Sequence, residues 1–360
     1  MNNYLLKRIN FGLLIPALIL VGISLATLYS LDFDFFKQQL IYFLVSFAAY
    51  LVFTNIDYKI YGYFAKYIYI AIILSLLLLF FIGFEAKGAV RWVDFFGISI
   101  QFSEIAKPFF IIVIAYFLTR DSIRGLSKFL LSAFLIFPIF FLILRQPDLG
   151  SALVYLLSGG FVILLFGFPL LFYIVSIIMS IIPIPIIYNL LHDYQKSRIL
   201  SFINPTADVS GSSYNSIQAL ISIGSGGITG KGFGQATQSV LKFLPERHTD
   251  FIFATISESL GFIGGLIIIA CFGVLLWKIF RLSKAVNDKF TYLLVIGFYA
   301  IFLIQAFFNI GMNIGILPIV GITLPFVSYG GSSLLTCFII LGILSAIQYD
   351  YKTRYSIEIQ

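Results

Sequence analysis

Long apolar runs separated by short polar connections repeat along the whole chain. A membrane-spanning helix needs about 20 mostly apolar residues, and ten runs reach or approach that length. They lie at about 11–30, 36–54, 62–84, 103–119, 128–144, 149–166, 169–191, 251–278, 290–311 and 325–348. The pattern predicts an all-α integral membrane protein with about ten transmembrane helices, forming one polytopic domain over residues 1–360.

The composition agrees with this prediction. The chain is 60% hydrophobic and 11% charged, whereas a soluble domain is about 25% charged. The formal net charge of +7 comes from basic residues scattered over short connections, so we expect no nucleic-acid partner. Cys271 and Cys337 lie inside apolar runs and are typical of small buried side chains, not of a disulfide.

The charges of the connections predict the orientation, because Lys and Arg accumulate on the cytoplasmic side. One set of connections carries Lys7, Arg8, Lys59, Lys66, Arg120, Arg124, Lys128, Lys278, Arg281, Lys284, Lys289, Lys352 and Arg354. The opposite set includes the acidic stretch 31–36 and the uncharged stretch 313–324. Both termini are therefore predicted to be cytoplasmic, with the first run a retained signal-anchor helix. The connection at 167–169 is so short that runs six and seven could form one helix, which would invert everything after it.

The connection between predicted helices 7 and 8, at about 192–250, is far longer than the others. Such loops are either functional or disordered. This one contains apolar pieces such as "SIQALISIGSGG", so we expect an ordered, partly helical extracytoplasmic loop that carries chemistry.

A glycine-rich stretch, "GSGGITGKGFG" at 224–234, lies in that loop. It fails the Walker pattern, since Gly232 follows Lys231 where a hydroxyl residue belongs. What remains is a backbone that can approach a ligand closely, with Lys231 available for an anionic group. A plain cluster of turns is an equally open interpretation.

The external stretch 88–108, between predicted helices 3 and 4, contains Trp92, Glu104 and Lys107. Trp92 is typical of an interfacial anchor. Glu104 and Lys107 are three residues apart at the start of an apolar helix and can pair. Ionised groups at membrane depth usually mark function, although a purely structural pair stays open. Asp148, just before another apolar run, is interpreted as an N-cap.

The stretch "FLPERHTDFIF" at 243–253 places Glu246, Arg247, His248 and Asp250 directly before an apolar helix. Thr249 or Asp250 could cap that helix, but capping does not explain the whole cluster. We interpret it as a site for a substrate that is part sugar or phosphate and part lipid, with Glu258 supporting the cavity.

Farther along, Pro318, Pro325 and several glycines within 309–335 predict a re-entrant or broken segment lining the same cavity. A tight external loop is the alternative.

Together these motifs closely resemble the SEDS family (shape, elongation, division and sporulation), and its RodA branch more than its FtsW branch. The resemblance covers nearly the whole chain after the first helix. The stretches that carry it are, in order, "GAVRW", "SEIAKP", "RQPDLGSALV", "YQKSRILSFINP", "SIQALISIGSGGITGKGFG", "FLPERHTDFIFA" and "LPFVSYGGSSLL". The chain departs from the family pattern at Phe102, Ala236 and Ser259, the last of which puts in doubt a role for the second acid of a usual glutamate pair.

The resemblance implies a peptidoglycan glycosyltransferase of the bacterial cytoplasmic membrane that polymerises lipid II on the outer face. It also implies a class B penicillin-binding protein as partner. Carried onto this chain, the family's essential acid is Asp250, and its functionally important Trp, Glu and Lys are Trp92, Glu104 and Lys107.

We expect Asp250 to act as a general base in one inverting displacement on the undecaprenyl-pyrophosphate-linked disaccharide-peptide. Cations would favour the departing pyrophosphate, with Lys107, Arg91, Arg247 and Lys231 as candidates in that order and His248 as a further binding residue. A divalent cation, Mg²⁺ or Mn²⁺, could share this task. The rival functions are a flippase for the same lipid precursor, which would need a hydrophilic path through the bilayer, and a scaffold without chemistry at Asp250.

Overall fold

Thirteen helices and one small sheet make up the part of the chain that the computed structural model describes, namely residues 8–82, 84–86, 89–95, 98–181, 188–189, 196, 202 and 213–358. The helices are α1 Phe11–Leu31, α2 Phe33–Asn55, α3 Tyr58–Tyr63, α4 Ala65–Ile82, α5 Phe102–Thr119, α6 Gly125–Arg145, α7 Leu149–Phe166, α8 Leu170–Ile181, α9 Tyr214–Ser225, α10 Thr237–Val240, α11 Ile252–Ala285, α12 Lys289–Asn313 and α13 Gly331–Glu358. The strands are β1 Phe84–Ala86, β2 Ala89–Phe95 and β3 Ile98–Ile100. The mainly helical membrane fold is as predicted.

Within the described residues, eight helices are long and apolar enough to cross a membrane: α1, α2, α5, α6, α7, α11, α12 and α13. The predicted span at 62–84 corresponds to the shorter apolar helix α4, and that at 169–191 to the 12-residue α8. The remainder of the latter span lies largely outside the described residues, so the total of ten stays a prediction. Gly167 ends α7 in the left-handed conformation at φ 90°, which shows that α7 and α8 are two helices.

Aspartate side chains begin four of the helices, because a carboxylate at the N-cap accepts a hydrogen bond from an N–H group of the first turn. Asp32 accepts from Asp34 N, Asp57 from Lys59 N, Asp148 from Ser151 N and Asp288 from Thr291 N. The prediction that Asp148 is an N-cap is confirmed.

Helix α13 packs most extensively on α2, and it is the most deeply buried of the eight long helices. At Gly342 an added Cβ would lie 2.8 Å from Phe53 Cβ and 2.9 Å from Tyr50 O. Within lipid the hydrophobic effect does not drive helices together, so van der Waals packing at such close contacts stabilises the pairing of α2 with α13. The outer faces of the bundle carry exposed apolar side chains, including Phe81 and Leu170.

The bundle has two chemically different ends. One, which we call the basic end, holds Arg8, Lys59, Lys128, Lys278 and Lys352; there Lys59 pairs with Asp350 at 3.3 Å. The other, the site end, contains the starts of α2, α5, α7, α11 and α13 and the three-stranded antiparallel sheet of order β1-β2-β3. Which end faces the cytoplasm stays a prediction from the positive-inside pattern.

Candidate active site

A turn at residues 246–251 leads into α11. It is closed by a hydrogen bond from Phe251 N to Glu246 O of 3.2 Å, and the Thr249 hydroxyl donates to the Glu246 carboxylate at 2.9 Å. The N-cap position of α11 is Phe251, without a side-chain cap. Neither Thr249 nor Asp250 occupies the N-cap position of α11.

Two buried asparagines of α12 hold the backbone of Asp250. Asn309 Nδ2 donates to Asp250 O at 3.1 Å and Asn313 Nδ2 donates to the same oxygen at 3.0 Å. The side-chain oxygen of Asn313 also accepts from Ala254 N at 3.1 Å. Ala254 lies in the first turn of α11, where N–H groups lack helical partners. Asn313 thus serves as the cap of α11 from a neighbouring helix, while Asp250 remains partly exposed.

The irregular segment 323–330 holds the other side of the same turn. Ser328 Oγ donates to Thr249 O at 2.8 Å, and Tyr329 N donates to His248 O at 2.9 Å. Leu324, Phe326 and Val327, which belong to this segment, are buried. The segment is thus irregular and packed into the protein, while its re-entry into the membrane and the cavity that it was expected to line stay predictions.

The His248 ring lies flat on Phe35, with ring centroids 4.4 Å apart and planes inclined by 10°. Tyr329 packs at 5.5 Å from the same imidazole. The ring is thus fixed by aromatic neighbours from α2 and from the irregular segment.

Arg247 is half-buried beside Asp250 in the turn. Its Nε is buried and makes no hydrogen bond among the described residues. Burial lowers the pKa of the guanidinium below its ordinary value, and the Asp32 carboxylate partly offsets the shift. An arginine stays charged under such a shift, so Arg247 retains a buried N–H donor for an anion.

The start of α5 is tied to the same irregular region through α13. Gln101 N donates to Ser332 Oγ at 2.9 Å, and Thr336 Oγ1 donates to Glu104 O at 2.9 Å. Gln101 Nε2 also donates to the Asp148 carboxylate at 2.9 Å. These bonds link the starts of α5, α7 and α13.

Glu104 and Lys107 form an ion pair with N···O of 2.5 Å, and their side chains are 7% and 2% exposed. The second oxygen of Glu104 is buried and has no hydrogen-bond partner among the described residues. The predicted pairing is confirmed. At this burial the charge of Lys107 is largely neutralised by its partner.

The glycine-rich stretch fits against a break in α11. Gly261 has φ 66° and ψ −161° inside that helix. Phe262 N donates to Gly227 O at 2.9 Å and Gly232 N to Ser259 O at 2.9 Å. A Cβ at Gly261 would lie 2.3 Å from Gly230 N, so only glycine allows this approach.

Lys231 and Glu258 form an ion pair close to that break in α11. Lys231 Nζ lies 3.2 Å from Glu258 Oε1. The buried Glu258 carboxylate also accepts from Gln238 N at 2.9 Å, Ser239 N at 3.0 Å and Ser239 Oγ at 2.7 Å. Glu258 therefore anchors α10, and Lys231 shares its charge with this carboxylate; the expected support of a substrate cavity by Glu258 stays a prediction.

Trp92 lies half-buried on β2, which contacts α4 and α5. Arg91 is on the same strand, but its side chain lies outside the described residues. The described contacts do not connect Trp92 with Asp250. Most of the stretch 194–205 lies outside the described residues as well.

A family model described as "Cell cycle protein", FtsW/RodA/SpoVE, matches residues 4–353. The chain belongs to the SEDS family. The SEDS relatives include the peptidoglycan glycosyltransferase MrdB of Escherichia coli K12, 39% identical over 304 residues, which are 84% of this chain and 82% of that protein. A probable peptidoglycan glycosyltransferase FtsW of Geobacter metallireducens is 38% identical over 332 residues, 89% of this chain and 86% of the relative.

Solved structures of SEDS proteins share the fold. A chain of a peptidoglycan synthase complex, described as coordinating polymerization and crosslinking, superimposes with a TM-score of 0.84 at 27% identity, covering 95% of this chain and 98% of the other. The rod shape determining protein RodA of Thermus thermophilus gives 0.72 at 26% identity, covering 96% and 97%. The similarity to MrdB and RodA agrees with the predicted RodA-like branch.

In this SEDS chain the fold brings Arg247, His248 and Asp250 into one turn and links Glu104 and Lys107 to it through residues 323–336. Sequence reasoning missed Asn309, Asn313 and Ser328 as residues that hold the turn. The signal for the asparagines was available, since two amides one helical turn apart in an apolar helix are costly in a membrane unless they have partners.

No three His, Cys, Asp or Glu side chains converge on one point within the described ranges. Mg²⁺ is often held by one or two carboxylates together with substrate phosphates, and Asp250 is a carboxylate of that kind. A divalent cation stays a prediction.

Proposed function

We propose that this chain is a peptidoglycan glycosyltransferase that polymerises lipid II, with Asp250 as the general base. The observation that carries the proposal is the fixation of the Asp250 backbone by Asn309 and Asn313 while the residue itself stays partly exposed. A base must be held within about an ångström of its productive position to act efficiently. The family and the names of its relatives supply the reaction.

In the reaction a sugar hydroxyl of one glycan attacks the anomeric carbon of another. The new glycosidic C–O bond forms as the bond to the lipid-linked pyrophosphate breaks, and the hydroxyl proton passes to a carboxylate oxygen of Asp250. General-base catalysis of this kind contributes about 10²–10⁴-fold. A single displacement inverts the anomeric centre.

The departing pyrophosphate gains negative charge, so nearby cations stabilise the transition state. Arg247 is the best candidate, because it lies in the same turn as Asp250 and has a buried N–H without a hydrogen-bond partner among the described residues. Lys107 ranks below it, since its charge is paired with Glu104, and Lys231 is similarly engaged by Glu258. This order differs from the one expected from sequence, where Lys107 came first.

The distribution of charge supports a polymerase over a flippase. Charged side chains of the described helices lie toward the two ends of the bundle, and between them Phe110, Ile111, Phe338 and Leu341 are fully buried apolar residues. A flippase needs a hydrophilic path across this region.

The deciding experiment compares wild type with Asp250→Asn in a polymerisation assay with purified lipid II and a class B penicillin-binding protein as partner. Asp250→Asn is expected to lose about 10²-fold or more of the rate. Asp34→Asn is the matched control, since it makes the same change in an exposed carboxylate at the start of α2, outside the turn, and it should stay close to wild type. If Asp250→Asn polymerises lipid II at the wild-type rate, Asp250 is not the general base. Lipid translocation by wild type without polymer would favour the flippase.

Sidedness needs its own test. The native Cys271 and Cys337 are buried, so single exposed cysteines report cleanly. In intact cells an impermeant maleimide should label Lys242→Cys near the site and spare Lys284→Cys at the basic end. The reverse pattern would place the site in the cytoplasm and exclude an extracytoplasmic polymerase.

A further inference from the structure

A cavity of about 300 Å³ opens at the basic end of the bundle, on the opposite side from the turn that holds Asp250. It lies where the start of α1 meets α11 and α13. Three cationic residues, Arg8, Lys278 and Lys352, are among its described lining residues, and none of those residues is acidic. The volume is at the lower limit of ligand sites, which start near 300 Å³.

The cations come from three separate segments. Arg8 is held in place by donating to Asn55 O at 3.1 Å and by lying 4.8 Å from the Tyr349 ring centroid. Lys278 and Lys352 form no ion pair within the described residues. Two ammonium groups without an ion-pair partner in the described part of the chain, beside a fixed guanidinium, create a strong local attraction for an anion.

Polar and small residues form the floor of the cavity. Asn10 caps α1 by accepting from Leu13 N at 3.3 Å, and its amide contacts Gln348 of α13. At Gly12 an added Cβ would lie 3.7 Å from the side-chain carbons of Lys278. This is ordinary van der Waals distance, so the aliphatic stem of Lys278 lies directly beside α1 at residue 12.

Exposed aromatic side chains lie at and beside the cavity. Trp277, 54% exposed, has its ring 5.1 Å from Lys278 Nζ and 5.5 Å from the Arg281 guanidinium carbon. Phe11, 54% exposed, lines the cavity on the other side. Tryptophan beside cations marks the membrane interface, so an anion that enters here comes from the lipid headgroup layer.

We propose that this cavity binds the phosphate headgroup of an anionic phospholipid. Basic pockets between membrane helices on a cation-rich face are suited to such headgroups. The volume accommodates a phosphate with a small alcohol, while the acyl chains would lie along the exposed apolar surface of α1. The site would couple α1, α11 and α13 at the end remote from the chemistry.

The test uses full-length protein exchanged into vesicles of equal parts phosphatidylglycerol and phosphatidylcholine, with the lipid retained after purification counted by native mass spectrometry. Lys278→Gln with Lys352→Gln is expected to lower retention of phosphatidylglycerol by about fivefold for each lysine. The matched control is Lys284→Gln with Lys289→Gln, which removes the same charge from the same end outside the cavity and should behave like wild type. Gly12→Leu, which fills the cavity without changing charge, should also lose the lipid.

Equal retention by wild type, the cavity variants and the control would overturn the proposal. A parallel arm offers inorganic phosphate alone. Stabilisation by free phosphate without selective retention of phosphatidylglycerol would show a phosphate site and not a lipid site, and would equally overturn it. Because Asp250 is untouched, a negative result here leaves the proposed glycosyltransferase activity standing.

Discussion

Asn313 offers the sharpest test of how the site is held, because its one amide performs two tasks. It donates to Asp250 O at 3.0 Å and accepts from Ala254 N at 3.1 Å. In Asn313→Ala the buried Ala254 N–H loses its partner, at a cost of about 1–3 kcal/mol. Asp250 O also loses one of its two described amide donors, and that loss adds about 0.5–1.5 kcal/mol.

We therefore expect Asn313→Ala to lower the free energy of unfolding by roughly 2–4 kcal/mol. A shift of Asp250 by about 1 Å would reduce polymerisation about 100-fold. Asn313→Asp separates the two tasks, since a carboxylate still accepts from Ala254 N but cannot donate to Asp250 O. It should recover part of the stability and none of the rate.

The assay measures initial rates of lipid II polymerisation with the partner present, alongside the apparent unfolding temperature. Gln305→Ala is the control, because Gln305 is a buried polar residue of the same helix, 2% exposed, about two turns away. If both Asn313 variants polymerise at the wild-type rate, the amide does not position the base and the reasoning fails.

The remaining predictions concern the supports of the site. Glu104→Met should leave Lys107 buried without its counter-ion and lower the free energy of unfolding by about 3–5 kcal/mol. Adding Lys107→Met should recover the unfolding temperature. Full polymerisation by that double variant would show that the pair is purely structural. Gly261→Ala, at φ 66° with a Cβ 2.3 Å from a backbone nitrogen, should lower the free energy of unfolding by more than about 2 kcal/mol. Gly273→Ala, in open space on the same helix, should leave it unchanged. Equal unfolding temperatures for the two variants would contradict this prediction. Glu258→Gln should loosen the stretch 231–240 and speed trypsin cleavage there, so that unchanged proteolysis would speak against its anchoring role.

Hydropathy predicted where the long helices lie because the membrane requires each spanning segment to be apolar along its whole length. The N-cap role of Asp148 before α7 was also predictable from sequence, since its carboxylate accepts a hydrogen bond from an N–H group only three residues away. The pairing of Glu104 with Lys107 follows from their spacing on one helix. These features depend on residues that are close together in the chain, so a sequence pattern can predict them.

The residues that hold the turn of Asp250 could not be predicted in this way. Asn313 lies 63 residues from Asp250, and Thr336 lies 232 residues from Glu104. The break at Gly261 likewise depends on another segment, since residues 227–232 pack against it. Only the tertiary structure decides which distant amide or carbonyl meets a given group.

The sequence by itself thus determined the membrane class, most of the helices and the stretch that carries the acid. The tertiary structure decided that α12 and residues 323–330 hold that acid from two sides, that Lys107 and Lys231 are occupied by carboxylates, and that three cations meet at the basic end. The physical reason is that helix formation in lipid is dictated by local composition. The placement of a polar group depends instead on its buried partners, which are remote along the chain.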